Sequence, residues 1–105
     1  MSLSNPDKKQ LRRIGHELNP QVIIAQKGLS ENIGKEIDRA LEAHELIKVK
    51  LAIPDREARK KLCDEICLQL SAECIQSVGQ VVLLFRAAKK QNKKLSNLVR
   101  HATAK

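Results

Sequence analysis

A small α/β domain, in the order α-β-α-β-α-β-β on a four-stranded mixed sheet, is the fold class this 105-residue sequence predicts. Three observations lead there. Between His44 and Ala52, Ile47, Val49 and Leu51 alternate with Lys48 and Lys50, which places apolar and cationic side chains on opposite faces of a half-buried strand. Val22-Ile23-Ile24 is a short, wholly apolar run of β-branched residues, suited to an interior strand. Ala58, Leu62, Ile66 and Leu70 step by four, the signature of a helix with one buried stripe.

The remaining elements follow in order. Asn5-Pro6 opens a first helix, since Asn can cap and Pro suits the first helical position. Leu11, Ile14 and Leu18 give that helix its apolar side, and Asn19-Pro20 ends it. The strand at 22–24 runs into the turn Ala25-Gln26-Lys27-Gly28. Ser30 is the expected N-cap of a second helix, with Glu31 in the first turn and Ile33, Ile37, Leu41 and His44 along one stripe. A right-handed crossover would make its two flanking strands parallel. Asp55, after Pro54, is the expected cap of the third helix. Cys74 to Val78 and Val81 to Arg86, joined by Gly79-Gln80, read as a hairpin.

Phe85 is the only aromatic residue, so the core must be aliphatic, and recognition of single strands by stacking bases on several aromatic platforms is excluded. The net charge of +8 is uneven. Residues 1–28 carry five basic and two acidic side chains, residues 29–54 and 55–85 each carry four against five, and residues 86–105 carry seven basic and none acidic. Basic ends on a nearly neutral middle mark a polyanion binder, because each cation that neutralises a phosphate releases condensed counterions. A solubilising tail is the plainer alternative. The domain is expected over residues 1–88, followed by a basic, flexible tail over 89–105. Leu95, Leu98, Val99 and Ala102 keep helical spacing in that tail, but so short a helix is marginal alone in water. No apolar run reaches the length of a membrane span and no signal peptide is evident. The low, odd cysteine count points to a reducing, cytoplasmic setting.

Catalysis and metal binding find little support. Cys63 and Cys67 lie one helical turn apart and Cys74 is close in sequence, but a second ligand pair is missing and His16, His44 and His101 are scattered, so core packing is the better reading. No nucleophile, base and orienting partner form a motif, and His44 is better placed to satisfy a carbonyl near a helix C-terminus. No cofactor is expected. The turn Ala25–Gly28 is the most informative local feature. Following a strand and preceding a helix N-terminus, it is either an ordinary βα turn or a phosphate cradle, with Lys27 supplying charge and Gly28 allowing close backbone approach.

Leu18 to Ser30, Glu36 to Lys50 and Val78 to Arg86 together resemble the YhbY family of CRM-domain proteins (chloroplast RNA splicing and ribosome maturation), the similarity running from about Leu11 to Arg86. The resemblance implies an RNA-binding α/β domain similar in fold to the C-terminal domain of translation initiation factor three. It also implies work on precursors of the large ribosomal subunit, as for bacterial stand-alone members, plant members being associated with group II intron splicing. The family's GxxG loop falls on Ala25 to Gly28, with Ala at the first glycine position, and Phe85 stands where Tyr is common. The resulting expectation is a non-catalytic, monomeric RNA-binding protein acting in ribosome assembly, with a DNA-binding accessory protein or a basic-tailed protein adaptor as rivals. Gln26, Lys27 and Gly28 would hold a phosphate. Lys48, Lys50 and Arg86 would present charge from the sheet, Arg12 and Arg13 from the first helix, and Lys89 and Lys90 from the tail.

Overall fold

The computed structural model describes residues 5–25, 30–92 and 94–102. Helix α1 (Asn5–Gly15), strand β1 (Pro20–Ile24), helix α2 (Glu31–His44), strand β2 (Leu46–Leu51), helix α3 (Arg56–Leu70) and the hairpin β3 (Glu73–Val78) and β4 (Val81–Phe85) follow the predicted order. A further short helix, α4 (Asn97–Ala102), closes the series. The strands form one sheet in the order β1-β2-β4-β3, with β1 parallel to β2 and the other neighbours antiparallel. The mixed sheet expected from the sequence is therefore present.

Alternation along β2 decides what each face of the sheet carries. Ile47, Val49 and Leu51 join Val22, Ile24, Val82 and Leu84 against Ile37 and Leu41 of α2 and Leu62, Cys63 and Ile66 of α3. This is the larger core, and it is aliphatic. Burying each such side chain is worth about 1.5–3 kcal/mol, which is why the two helices settle on this face. Both helices start where the sequence placed their caps. Ser30 Oγ accepts from the Ile33 amide at 3.2 Å, and Asp55 Oδ2 accepts from the Ala58 amide at 3.2 Å.

On the other face, Leu11 and Ile14 of α1 pack with Leu46, Ile75 and Leu83 in a smaller core, joined at its edge by Phe85 and by Leu98 of α4. A β-bulge places Ile75 and Gln76 opposite Leu83, because the β3–β4 register slips between Cys74 and Gln76. Gly15 lets the end of α1 lie close on the sheet. A Cβ there would stand 2.7 Å from Leu83 Cδ2, inside van der Waals contact. At its other end α1 is tied down by the Lys8–Glu73 ion pair at 3.4 Å. Helix α1 is one short rod on a four-stranded sheet, so it covers only part of this face, and Ile23 and Val78 remain 61% and 64% exposed.

Ala88, at the end of the expected domain, and Gln91 and Ser96, within the segment 89–105 expected as a tail, hydrogen-bond to Glu45. That residue is buried, with φ 64°, between α2 and β2. Its carboxylate accepts from the Ala88 amide at 2.8 Å, Gln91 Nε2 at 2.6 Å and the Ser96 hydroxyl at 2.7 Å. Asn97 Nδ2 donates to the Leu46 carbonyl at 2.6 Å, and the His44 ring meets the Leu95 carbonyl at 2.8 Å. His44 thus satisfies a carbonyl as expected, one supplied from fifty-one residues downstream. Burial alone would raise the Glu45 pKa. The hydrogen bonds from Gln91, Ser96 and Ala88 outweigh it and hold the carboxyl below its ordinary value.

Candidate nucleic-acid interface

The uncovered part of the α1-side face has a readable register. Ile23 pairs with Lys50, Lys50 with Val81, and Val81 with Val78, so these four side chains form one row across all four strands. The adjacent row carries Lys48, Leu83 and Gln76. Between this surface and the end of α1 lies a groove of about 250 Å³, lined among others by His16, Lys48, Gln76, Val78 and Val81. His16 also borders a second, shallower depression on α1 with Lys9, Gln10, Arg12 and Arg13. The two hollows therefore share His16 at the helix end.

The electrostatics follow from what these cations do not touch. Among the described residues, no carboxylate pairs with Lys48, Lys50, Arg12 or Arg13. Lys48 and Lys50 are half-buried, flanked by aliphatic side chains that reduce their hydration. A cation in that position gains more from an incoming anion than one fully in water. The apolar stems and the hairpin valines supply contact area, and the ammonium groups supply charge.

This surface sits at the end of the sheet where β1 and β2 finish and the hairpin turns. The Leu51 amide donates to the Gln80 carbonyl at 2.6 Å and the Ala52 amide to the Ile24 carbonyl at 2.8 Å. The turn singled out in the sequence starts there, directly after Ile24. Gln26, Lys27 and Gly28 themselves lie outside the described residues.

Arg86 is not part of this surface. It follows the last residue of β4, at the other end of the sheet, and its side chain is only 17% exposed. Its guanidinium donates to Asp38 Oδ1 at 2.6 Å, to the Asp38 carbonyl at 3.0 Å and to the Leu70 carbonyl at 3.1 Å, with Glu42 at 3.6 Å. The expectation that Arg86 presents charge from the sheet is corrected accordingly: its charge is neutralised inside the fold, where it ties β4 to α2 and α3. Lys89 and Lys90 also lie at that end, their amides donating to Glu42 Oε2 at 3.0 and 3.4 Å while their side chains stay exposed.

Sequence reasoning passed over His16, Ile23, Val78 and Val81. The hairpin already implied that Val78 faces Val81. What it did not contain was how far α1 reaches across the sheet, and hence which valines stay open. Among the described residues no group of three His, Cys, Asp or Glu is arranged to hold a metal ion, and no helix is long and apolar enough to cross a membrane.

A layered α/β domain with a four-stranded mixed sheet, one face of which is only partly covered, defines the class of fold. Within that class, the CRS1 / YhbY (CRM) domain matches residues 3–86, and the chain belongs to that family. It is 47% identical over 102 residues to a Pseudomonas aeruginosa protein named "Probable RNA-binding protein", covering 97% of this chain and 98% of that one. It is 39% identical over 85 residues to a Haemophilus influenzae protein named "RNA-binding protein", covering 81% and 86%. The solution structure of a hypothetical protein from Staphylococcus aureus superposes with a TM-score of 0.75 at 30% identity, over 90% of this chain and 98% of that one.

Proposed function

We propose that this chain is a non-catalytic RNA-binding protein that engages precursor large-subunit ribosomal RNA during ribosome assembly, as a monomer in the cytoplasm. The observation that carries the reading is that, among the described residues, Arg12, Arg13, Lys48 and Lys50 have no carboxylate partner, with Lys48 lining the groove at the end of α1, Arg12 and Arg13 the depression on α1, and Lys50 in the next row of the same sheet face. Membership of the CRS1/YhbY family and the names of the relatives support RNA as the polyanion. In this reading Gln26, Lys27 and Gly28 hold a backbone phosphate, and Lys89 and Lys90 add charge that carries no sequence choice. With a single aromatic residue, recognition proceeds through the backbone and shape of folded RNA. Competition at fixed salt between a folded ribosomal RNA fragment and duplex DNA tests the reading. Preferential retention of the RNA is expected, and equal affinities would favour a general polyanion binder instead.

A further inference from the structure

The cysteines do not all behave as core packing. Cys63 is buried in the larger core, and Cys67, one turn along α3, is half-buried against it. Cys74 belongs to the edge strand β3 and is exposed. It pairs with Leu84, so it faces α3, and the Cys63 thiol is close enough to those of Cys67 and Cys74 to be perturbed by both. Cys63 and Cys74 also line one cavity of about 770 Å³, open to solvent and bordered by Arg56, Lys60 and Asp64. A sulfur within reach of solvent is thus backed directly by a second one inside the fold.

We propose that Cys74 and Cys63 form a reversible dithiol site that exchanges with low-molecular-weight disulfides of the glutathione class. Cys74, having released its proton to solvent, attacks one sulfur of the incoming disulfide. That S–S bond breaks, a mixed disulfide forms on Cys74, and the first small thiolate departs. Cys63 then attacks the Cys74 sulfur, its proton passes to the second leaving thiolate, and a Cys63–Cys74 disulfide remains. Two protein thiols are oxidised and one small disulfide is reduced to two thiols.

The surroundings divide these roles. In the resting thiol the Cys74 sulfur contacts the Gln76 carbonyl at 3.6 Å. The hydrogen bond from Cys63 favours ionised Cys74 and lowers its pKa, against burial and the nearby Asp64 and Glu73. The bonds to Cys67 and Cys74, together with burial, push Cys63 up and keep it protonated. Once Cys74 is capped it no longer accepts that proton as a thiolate would, so Cys63 is released to attack only at the second step. The site is on the α2/α3 side of the sheet, the face opposite the groove beside α1, so this exchange does not rest on the RNA-binding reading.

Incubating the full chain with oxidised glutathione, followed by acid quench and peptide mapping, tests the proposal. A Cys63–Cys74 cross-link with Cys67 free, reversed by dithiothreitol, is expected. Cys63→Ser should stop at a stable glutathione adduct on Cys74, and Cys74→Ser should slow thiol consumption about tenfold or more. Cys67→Ser should leave the cross-link unchanged. A glutathione adduct persisting on Cys74 of the unchanged chain, a cross-link to Cys67, or undiminished consumption in Cys74→Ser would overturn it. If Cys63→Ser does not fold, the map of the unchanged chain decides alone, since any product but the Cys63–Cys74 bridge refutes the proposal.

Discussion

The two ends of the sheet use cationic residues in opposite ways. At the end where β4 finishes, Arg86 is wrapped by Asp38, Glu42 and two carbonyls, while Glu45 is buried under the amide and polar groups of residues 88–96. The charges of Arg86 and Glu45 there are internal, directed and satisfied, although the Lys89 and Lys90 side chains beside them are exposed. At the end where β1 and β2 finish, Lys48 and Lys50 project from the sheet without an acidic partner among the described residues. The first arrangement stabilises the fold and has little left to offer a ligand. The second contributes little to folding and keeps its attraction for an anion. Lys and Arg in similar strand-end positions therefore differ in purpose according to whether α2 supplies carboxylates nearby.

If that contrast is right, substitutions at the two ends should separate stability from binding. The largest effect is expected at Glu45. Replacement by Ala leaves the buried Ser96 hydroxyl and the partly buried Ala88 amide without this acceptor, releases Gln91, and should lower unfolding free energy by about 2 kcal/mol in chemical denaturation. Glu45→Gly should lose measurably less than Glu45→Ala, because glycine relieves the φ of 64° at that position. Equal losses would mean that backbone strain there is negligible. The same residue sets an acid limb. Its folded pKa lies below 4.5, so its contribution is fully present above the unfolded value and is lost as pH falls through the lowered folded value. Stability measured below about pH 4.5 should decline less steeply in Glu45→Gln.

Close to it in size is Arg86→Ala, expected to cost about 2 kcal/mol of stability, discounted for the partial exposure of Asp38 and Glu42. RNA affinity of the folded variant should be unchanged, and a parallel loss of affinity would place Arg86 in the binding surface after all. The reverse pattern is expected of the Lys48→Glu, Lys50→Glu double variant. Affinity for folded RNA should drop about tenfold, near 1.4 kcal/mol, with a shallower salt dependence and stability within about 0.5 kcal/mol. Smallest is Gly15→Ala, where a methyl group forced against buried Leu83 should cost about 1 kcal/mol in thermal or denaturant unfolding. An unaltered stability would show that Leu83 yields without penalty.

Much of the fold was legible because its signals are local. Alternation in β2, the caps Ser30 and Asp55, and the four-residue stepping of α3 each operate within a few residues, and the structure repeats them. The candidate surface was legible in part. Lys48 and Lys50 were assigned to the correct strand face by periodicity alone, and Arg12 and Arg13 to α1. Arg86 was misjudged because the residue that neutralises it, Asp38, lies forty-eight positions earlier in sequence. Glu45 escaped notice for the same reason, since nothing beside it in the sequence hints at Ser96. Composition also hid contacts: in the segment 89–105, rich in Lys, Asn and Gln, Gln91 and Ser96 bond the Glu45 carboxylate and Asn97 the Leu46 carbonyl.

That dependence has a consequence for how the molecule is made. During synthesis Glu45 emerges long before Ser96, fifty-one residues later, so the nascent domain carries an unsheltered carboxylate at the joint between α2 and β2 until the distant strap is translated. Closing so long a loop adds an entropic toll that only the completed set of hydrogen bonds offsets. Maturation of this corner is accordingly a late event, governed by arrival of the downstream segment more than by the hydrophobic layers already in place.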